Sequence, residues 1–449
     1  MVDRDRLRRL HAREREDFVT RHPASAGLFA RASEHMPHGV PMSWMAKWPG
    51  DFPVFVSRAA GAHFADADGL DYIDFCLGDT GAMAGHSPAE TVAAVTTSLP
   101  DGITTMLPGE ASIAVSTELS ARFGLPYWQF TLSATDANRH VIRYARALTG
   151  RSRIVVHDFC YHGSVDEAFA TLDETGRTVN RRSNIGPPVD TAQTTIVVPF
   201  NDIDALAAAL ATGDVAAVLM EPALTNIGIV LPDPGYHDAV RELTARYGAL
   251  LVIDETHTIC AGPGGYTAAN GLDPDFLVIG KAIGGGIPCG TFGMSASVAA
   301  RVEKVVALED IDVGGIGGTL AGNALSMTAM AATLGSVLTP AAFDRMIPLA
   351  ERWADGVAAA IERHGLPWHV TRLGCRAEYA FSPDLPHDGA DAAAADDFEL
   401  QQYLHLYALN RGILLTPFHN MALMSPATTE ADVDAHTAMF DACLAELTG

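Results

Sequence analysis

The middle of the chain alternates short apolar runs with amphipathic stretches, and few folds accept that pattern. Ile154 to Phe159, Thr194 to Pro199, Val215 to Met220, Leu250 to Asp254 and Phe276 to Ile279 read as strands. Asp136 to Leu148, Ile203 to Ala211 and Pro234 to Tyr247 read as helices set among them. Strands alternating with helices of about 10–15 residues give a parallel or mostly parallel sheet covered on both faces. The expected fold class is α/β, a mostly parallel central sheet flanked by helices. In such a sheet ligands collect at the carboxyl ends of the strands. His157-Asp158, Glu221, Asp254 and Lys281 all fall at such ends.

The ends of the chain read differently. Ala341 to His364, Glu399 to Asn410 and Glu430 to Leu447 have helical patterns, with a cap expected around Thr428-Thr429-Glu430. Ala377 to Phe381 and Ile413 to Thr416 are strand-like. Gly61 to Phe75 has hairpin character around an Asp68-Gly69 turn and is expected to pack with the C-terminal part. The division expected is an N-terminal segment over 1–75, a large domain over 76–335 and a C-terminal small domain over 336–449, the N-terminal segment giving a helix and strands to the smaller α+β domain. The charged opening residues, MVDRDRLRRLHAREREDF, read as a short solvated helix rather than a signal peptide.

Charge and cysteine usage exclude several function classes. The formal net charge is −24, from 54 acidic against 30 basic residues, and such a surface repels phosphate backbones. No apolar run reaches the roughly 18–20 residues that a membrane span needs. The six cysteines form no CxxC pair, and the histidines form no tight metal-ligand spacing. The expectation is a cytoplasmic protein with reduced, buried thiols, no metal, no nucleic-acid partner and no membrane.

Five short stretches carry chemistry. Ser133-Ala134-Thr135, within TLSATDAN, precede a helix whose free first-turn amides could hold a phosphate; a plain N-cap explains the same residues. Tyr161-His162-Gly163 follows a strand and could offer an aromatic ring to a flat ligand. Asp254 ends a buried strand, where a carboxylate needs a cation or donors. Thr256 and His257 follow it directly, Thr256 on the opposite side from its neighbours. Lys281 lies between FLVIG and AIGGG, where desolvation would make its amine nucleophilic. Thr319, in the glycine-rich stretch Gly314 to Asn323, could donate to a phosphate. A buried acid and a buried amine delivered by adjacent strand ends are what pyridoxal 5'-phosphate chemistry requires. The amine forms the Schiff base, and the acid keeps the pyridine nitrogen protonated.

In this order, the motifs resemble the class III pyridoxal-phosphate-dependent aminotransferases of fold type I, in their glutamate-1-semialdehyde aminomutase-like and β-amino-acid aminotransferase branch. The resemblance runs from about Met36 to Asp434 and includes GAHFADADGLDYIDF, SATDAN, YHG, Glu221-Pro222, DETHT, GKAIGGG and GGTLAGN. It implies Lys281 as the cofactor lysine and proton shuttle, and Asp254 as the partner of the pyridine nitrogen. Tyr161 and Thr256 would cover the two ring faces, with His162 beside Tyr161. His257 would lie near the phenolic oxygen and Glu221 on the substrate side. Ser133, Ala134 and Thr135 would hold the phosphate. Thr319 would reach the phosphate of a neighbouring subunit, because the resemblance implies a homodimer with shared active sites.

Two departures bear on the substrate. The family's SGT or SGS is Ser133-Ala134-Thr135, and its DEV is Asp254-Glu255-Thr256. Where relatives place a carboxylate-binding arginine, Gly39 to Pro53 offers Trp44 and Met45, and the C-terminal equivalent offers Phe418 and His419. The expected reaction is therefore transamination from a hydrophobic or aromatic amine or amino acid to a 2-oxo acid. An aminomutase of the glutamate-1-semialdehyde type uses the same groups and is the alternative. A non-catalytic cofactor-binding protein is the reading from another class, and retention of both Lys281 and Asp254 speaks against it.

Overall fold

A computed structural model describes residues 2–182, 184–305 and 315–449, so Gly314 of the glycine-rich stretch lies outside the described residues. The chain forms two compact units. The larger comprises 89–340 with 386–394, and the smaller comprises 1–88, 341–385 and 395–449. The divisions fall near Pro88 and Pro340, where the sequence suggested 75 and 335.

The larger unit is built on a seven-stranded sheet. From one edge to the other its strands are Tyr127–Thr131, Gly290–Met294, Phe276–Gly280, Leu250–Asp254, Val215–Met220, Arg153–His157 and Thr195–Val198. The four from Leu250–Asp254 to Thr195–Val198 pair in parallel, as does Phe276–Gly280 with Leu250–Asp254. Only Gly290–Met294 runs against both of its neighbours. That strand and Tyr127–Thr131 were not anticipated. Glycines at Gly290 and Gly293 and polar Gln129 and Thr131 dilute their apolar pattern.

Burial on both faces explains the continuous apolar runs. Leu250 and Val252 pack into one core with Ala137, Val141 and Ala145 of the helix Ala134–Thr149. Leu251 and Ile253 pack into a second core with Leu206 of the helix Ile203–Leu210 and Val240 of the helix Tyr236–Tyr247. Each fully buried aliphatic side chain contributes roughly 1.5–3 kcal/mol. The two-residue period carries on past the strand: Asp254 continues the first face and Glu255 the second.

The smaller unit holds a four-stranded sheet, in the order Val56–Ala60, His63–Asp66, Asp71–Asp74 and Ile413–Leu414. The expected hairpin thus packs with a C-terminal strand, Ile413 pairing with Ile73. A second sheet joins His369–Leu373, Arg376–Ala380 and Met421–Leu423. The last helix, Glu430–Thr448, starts at a capping box between Thr429 and Asp432. The opening helix, Arg4–Arg21, is not merely solvated: it buries Leu7, Glu14 and Phe18. Glu14 is repaid for burial by the Arg411 guanidinium at 2.9 Å and the Asn410 amide at 2.9 Å. Among the described residues no single helix is long and apolar enough to cross a bilayer.

Candidate active site

Asp254 ends its strand with 4% of its surface exposed. Its position on the first face brings it under the helix Ala134–Thr149. Asn138, one turn into that helix, donates from Nδ2 to Asp254 Oδ2 at 2.9 Å. His162 Nδ1 donates to the same oxygen at 3.0 Å. The amide of Thr256 donates to Oδ1 at 3.1 Å. Burial pushes the Asp254 carboxyl up, but the His162 hydrogen bond and charge, with Thr256 and Asn138, outweigh it and hold the pKa below its ordinary value. Burial also opposes a charged His162, yet the neighbouring Cys160 and Asp254 raise its pKa to about 10. The pair is thus an ionised carboxylate with an imidazolium behind it, and Oδ1 keeps capacity for a further donor.

Lys281 begins the turn that follows the strand Phe276–Gly280 and has φ +51°. That conformation costs a non-glycine residue roughly 1–2 kcal/mol and is found where surrounding structure imposes it. Here Gly280 presses the strand end onto the helix start: a Cβ at Gly280 would lie 3.1 Å from both Ala134 N and Ala134 Cβ. The Lys281 amine lies 2.7 Å from His257 Nε2.

Ser133 caps the helix, its hydroxyl accepting from the Asp136 amide at 3.2 Å and donating to Asp136 Oδ2 at 3.1 Å. The plain capping role is therefore real. It leaves the first-turn amides of Ala134 and Thr135 for another acceptor. Thr135 Oγ1 accepts from the Ser164 amide at 3.1 Å, and Gly163 lies so close that a Cβ there would be 2.1 Å from it. With φ +76° as well, Gly163 is needed for both space and conformation.

Glu221, at the end of its own strand, is 2% exposed and burial raises its pKa. Its carboxyl accepts from the amide and hydroxyl of Thr225 and, at 3.3 Å, from the amide of Tyr161. Tyr161 is 39% exposed, its ring edge-on to Phe169. Thr256 Oγ1 is buried with no hydrogen-bond partner among the described residues.

Ser133, Ala134, Thr135, Tyr161, His162, Glu221, Asp254, Thr256, His257 and Lys281 all belong to the larger unit, as does Thr319, which is exposed. Trp44, Met45, Phe418 and His419 belong to the smaller unit. There Trp44 and Phe418 are partly exposed, Met45 is half-buried, and His419 is 6% exposed with Nδ1 3.3 Å from Glu378 Oε1. Asn138 is the site residue that sequence reading left without a role. Its signal was the helix period, since it lies one turn beyond Ala134 on the face toward the sheet.

These groups fit pyridoxal phosphate. There is an ionised buried carboxylate with a lone pair to spare, an amine at a neighbouring strand end, and a helix start whose first-turn amides have no partner within the helix. Fold and site together define a pyridoxal-phosphate enzyme of fold type I. The chain belongs to the class III aminotransferases, whose family model matches residues 44–444. A glutamate-1-semialdehyde 2,1-aminomutase of Sorangium cellulosum is 35% identical over 422 residues, covering 92% of this chain and 94% of that protein. The crystal structure of a glutamate-1-semialdehyde-aminomutase from Pseudomonas aeruginosa PAO1 is 49% identical, covers 99% of each chain and superposes with a TM-score of 0.97. A lysine-to-alanine variant of that Pseudomonas aminomutase was solved in complex with PMP. A β-phenylalanine aminotransferase from Variovorax paradoxus is 29% identical over 97% of each chain, with a TM-score of 0.85.

Proposed function

We propose that this pyridoxal-phosphate enzyme is an aminomutase, moving an amino group between neighbouring carbons of one substrate of the glutamate-1-semialdehyde type. The observation that carries this reading is the 49% identity, over 99% of each chain, to the Pseudomonas aminomutase. It takes precedence over the transamination expected from sequence. Lys281 would bind the cofactor's aldehyde carbon and, once released by substrate, move a proton at Nζ. Asp254 would accept from the pyridine nitrogen through Oδ1, with His162 and Asn138 holding the carboxylate charged and aimed. Ser133, Ala134 and Thr135 would hold the phosphate, and Tyr161 and Thr256 would flank the ring. Thr319 would serve the site of a partner subunit in a homodimer. When bound, the cofactor supplies an electron sink for the carbon that loses a proton.

The experiment is conversion of glutamate 1-semialdehyde to its amino-ketone isomer by the purified holoenzyme without any 2-oxo acid. Turnover is expected. No conversion alone, but turnover of an aromatic amine once a 2-oxo acid is added, would replace this reading with transamination. That second reading has its own support: the partly exposed Trp44 and Phe418, and the likeness to a β-phenylalanine aminotransferase.

A further inference from the structure

Lys281 and His257 are in direct hydrogen-bond contact. Nζ and Nε2 lie 2.7 Å apart, and a hydrogen bond between an amine and an imidazole needs one donor and one acceptor. An ammonium facing an imidazolium would set donor against donor, so the two groups share a proton rather than each holding one. We infer that His257 is a positioning residue that acts through Lys281, storing the proton that the lysine carries. The inference rests on Lys281 being the cofactor lysine.

Local structure aims the imidazole. His257 is three residues past a strand end held by the Thr256 amide on Asp254, and its own carbonyl accepts from the Cys260 amide at 3.3 Å at the next turn. The other titratable groups around it are committed elsewhere in part or whole. Asp254 carries His162 and Asn138, Glu255 accepts from Thr258 and Tyr266, and Glu221 accepts from Thr225 and Tyr161. His257 is the imidazole on the amine, whereas His162 is spent on the carboxylate.

The proton balance is simple. Neutral Lys281 takes a proton from the substrate carbon, the electron pair of the broken C–H bond staying with the bound substrate. The new ammonium donates along the 2.7 Å contact, and a proton passes to His257 Nε2, leaving the amine neutral and the imidazole charged. The reverse transfers deliver a proton to the acceptor carbon. For an isomerisation this is economical, because the proton removed at one carbon is the one needed at another.

The test uses two readouts. The chain has three lysines, Lys47, Lys281 and Lys304, so ¹³C-methylated apoprotein gives three lysine NMR signals beside any from a free α-amine. The Lys281 signal should show two inflections with pH, its own and one from the imidazole it touches, as coupled groups do. In H257Q, which keeps an acceptor but cannot take a proton, only one should remain. Holo H257Q should keep the yellow colour of lysine-bound cofactor, lose about 100-fold in kcat with KM within a factor of about 3, and lose the acid limb of its pH profile. A single Lys281 inflection in the unaltered protein, or an H257Q enzyme with the original kcat and pH profile, would overturn the inference. Should H257Q not fold, H257N is read in the same way. Failure of the unaltered protein to bind cofactor at Lys281 would instead sink the parent reading.

Discussion

Asp254 and Glu255 are adjacent, both buried and both carboxylic, yet they stand on opposite sides of the sheet and titrate in opposite directions. Asp254 faces the helix Ala134–Thr149 and meets an imidazole, so its pKa is held down despite burial. Glu255 faces the other side. Burial raises its pKa, and only the neutral donors of Thr258, Thr267 and Tyr266 work against that. Its carboxyl caps the short helix Gly265–Ala269, and a Cβ on Gly265 would lie 2.5 Å from Oε2. Two identical functional groups are thus sorted by their partners: the one with a cation behind it stays charged and available, and the one with neutral donors all round holds the fold.

The comparison breaks most readily at Asp254. Asp254→Asn should cost about 10³-fold in kcat/KM, roughly 4 kcal/mol, while leaving the fold intact. Glu255→Gln measured in parallel should stay within about 3-fold, because it touches no part of the proposed chemistry. Equal losses in the two would show that the faces are not functionally distinct. Next in size is Gly163→Ala, which adds a Cβ 2.1 Å from Thr135 Oγ1 at φ +76°. A loss of about 2–4 kcal/mol is expected from strain and overpacking, with weakened cofactor binding seen by equilibrium dialysis. Glu255→Gln should itself lower stability by about 1–3 kcal/mol in urea unfolding, since an amide nitrogen would replace one acceptor among several donors.

How much of this was legible in sequence follows from the same two faces. The strands Val215–Met220 and Leu250–Asp254 were read to the residue, because burial on both sides leaves no polar interruption. Gly290–Met294 was missed because its glycines admit the close approach of neighbouring chain, Ser133 among them, and hide its period. Asp254 and Lys281 stood out because buried charge is rare. Asn138 did not, because a polar residue on a helix says nothing until the carboxylate it serves is placed across 116 positions of sequence. The buried helix face of Phe18 and Glu14 was hidden by the surrounding charges.

Stability should also depend on pH. His157 and His436 are buried and neutral, burial lowering each from its ordinary 6.5 to about 3. Their contribution is present above pH 6.5 and is lost as pH falls toward 3, at about 1.4 kcal/mol per pH unit for each histidine. His162 runs the other way: raised to about 10, its contribution is full below 6.5 and is lost as pH rises through 10. Urea unfolding across pH should therefore peak near 6.5, and His162→Gln should remove the alkaline decline while leaving the acid one.

Everything proposed for the site requires Lys281 to carry the cofactor opposite Asp254. Borohydride reduction of the holoprotein followed by peptide mass mapping tests it directly, since Lys47, Lys281 and Lys304 are the chain's only lysines. The cofactor's mass is expected on the peptide holding Lys281 and on no other. Its appearance on the Lys47 or Lys304 peptide, with Lys281 unmodified, would contradict it.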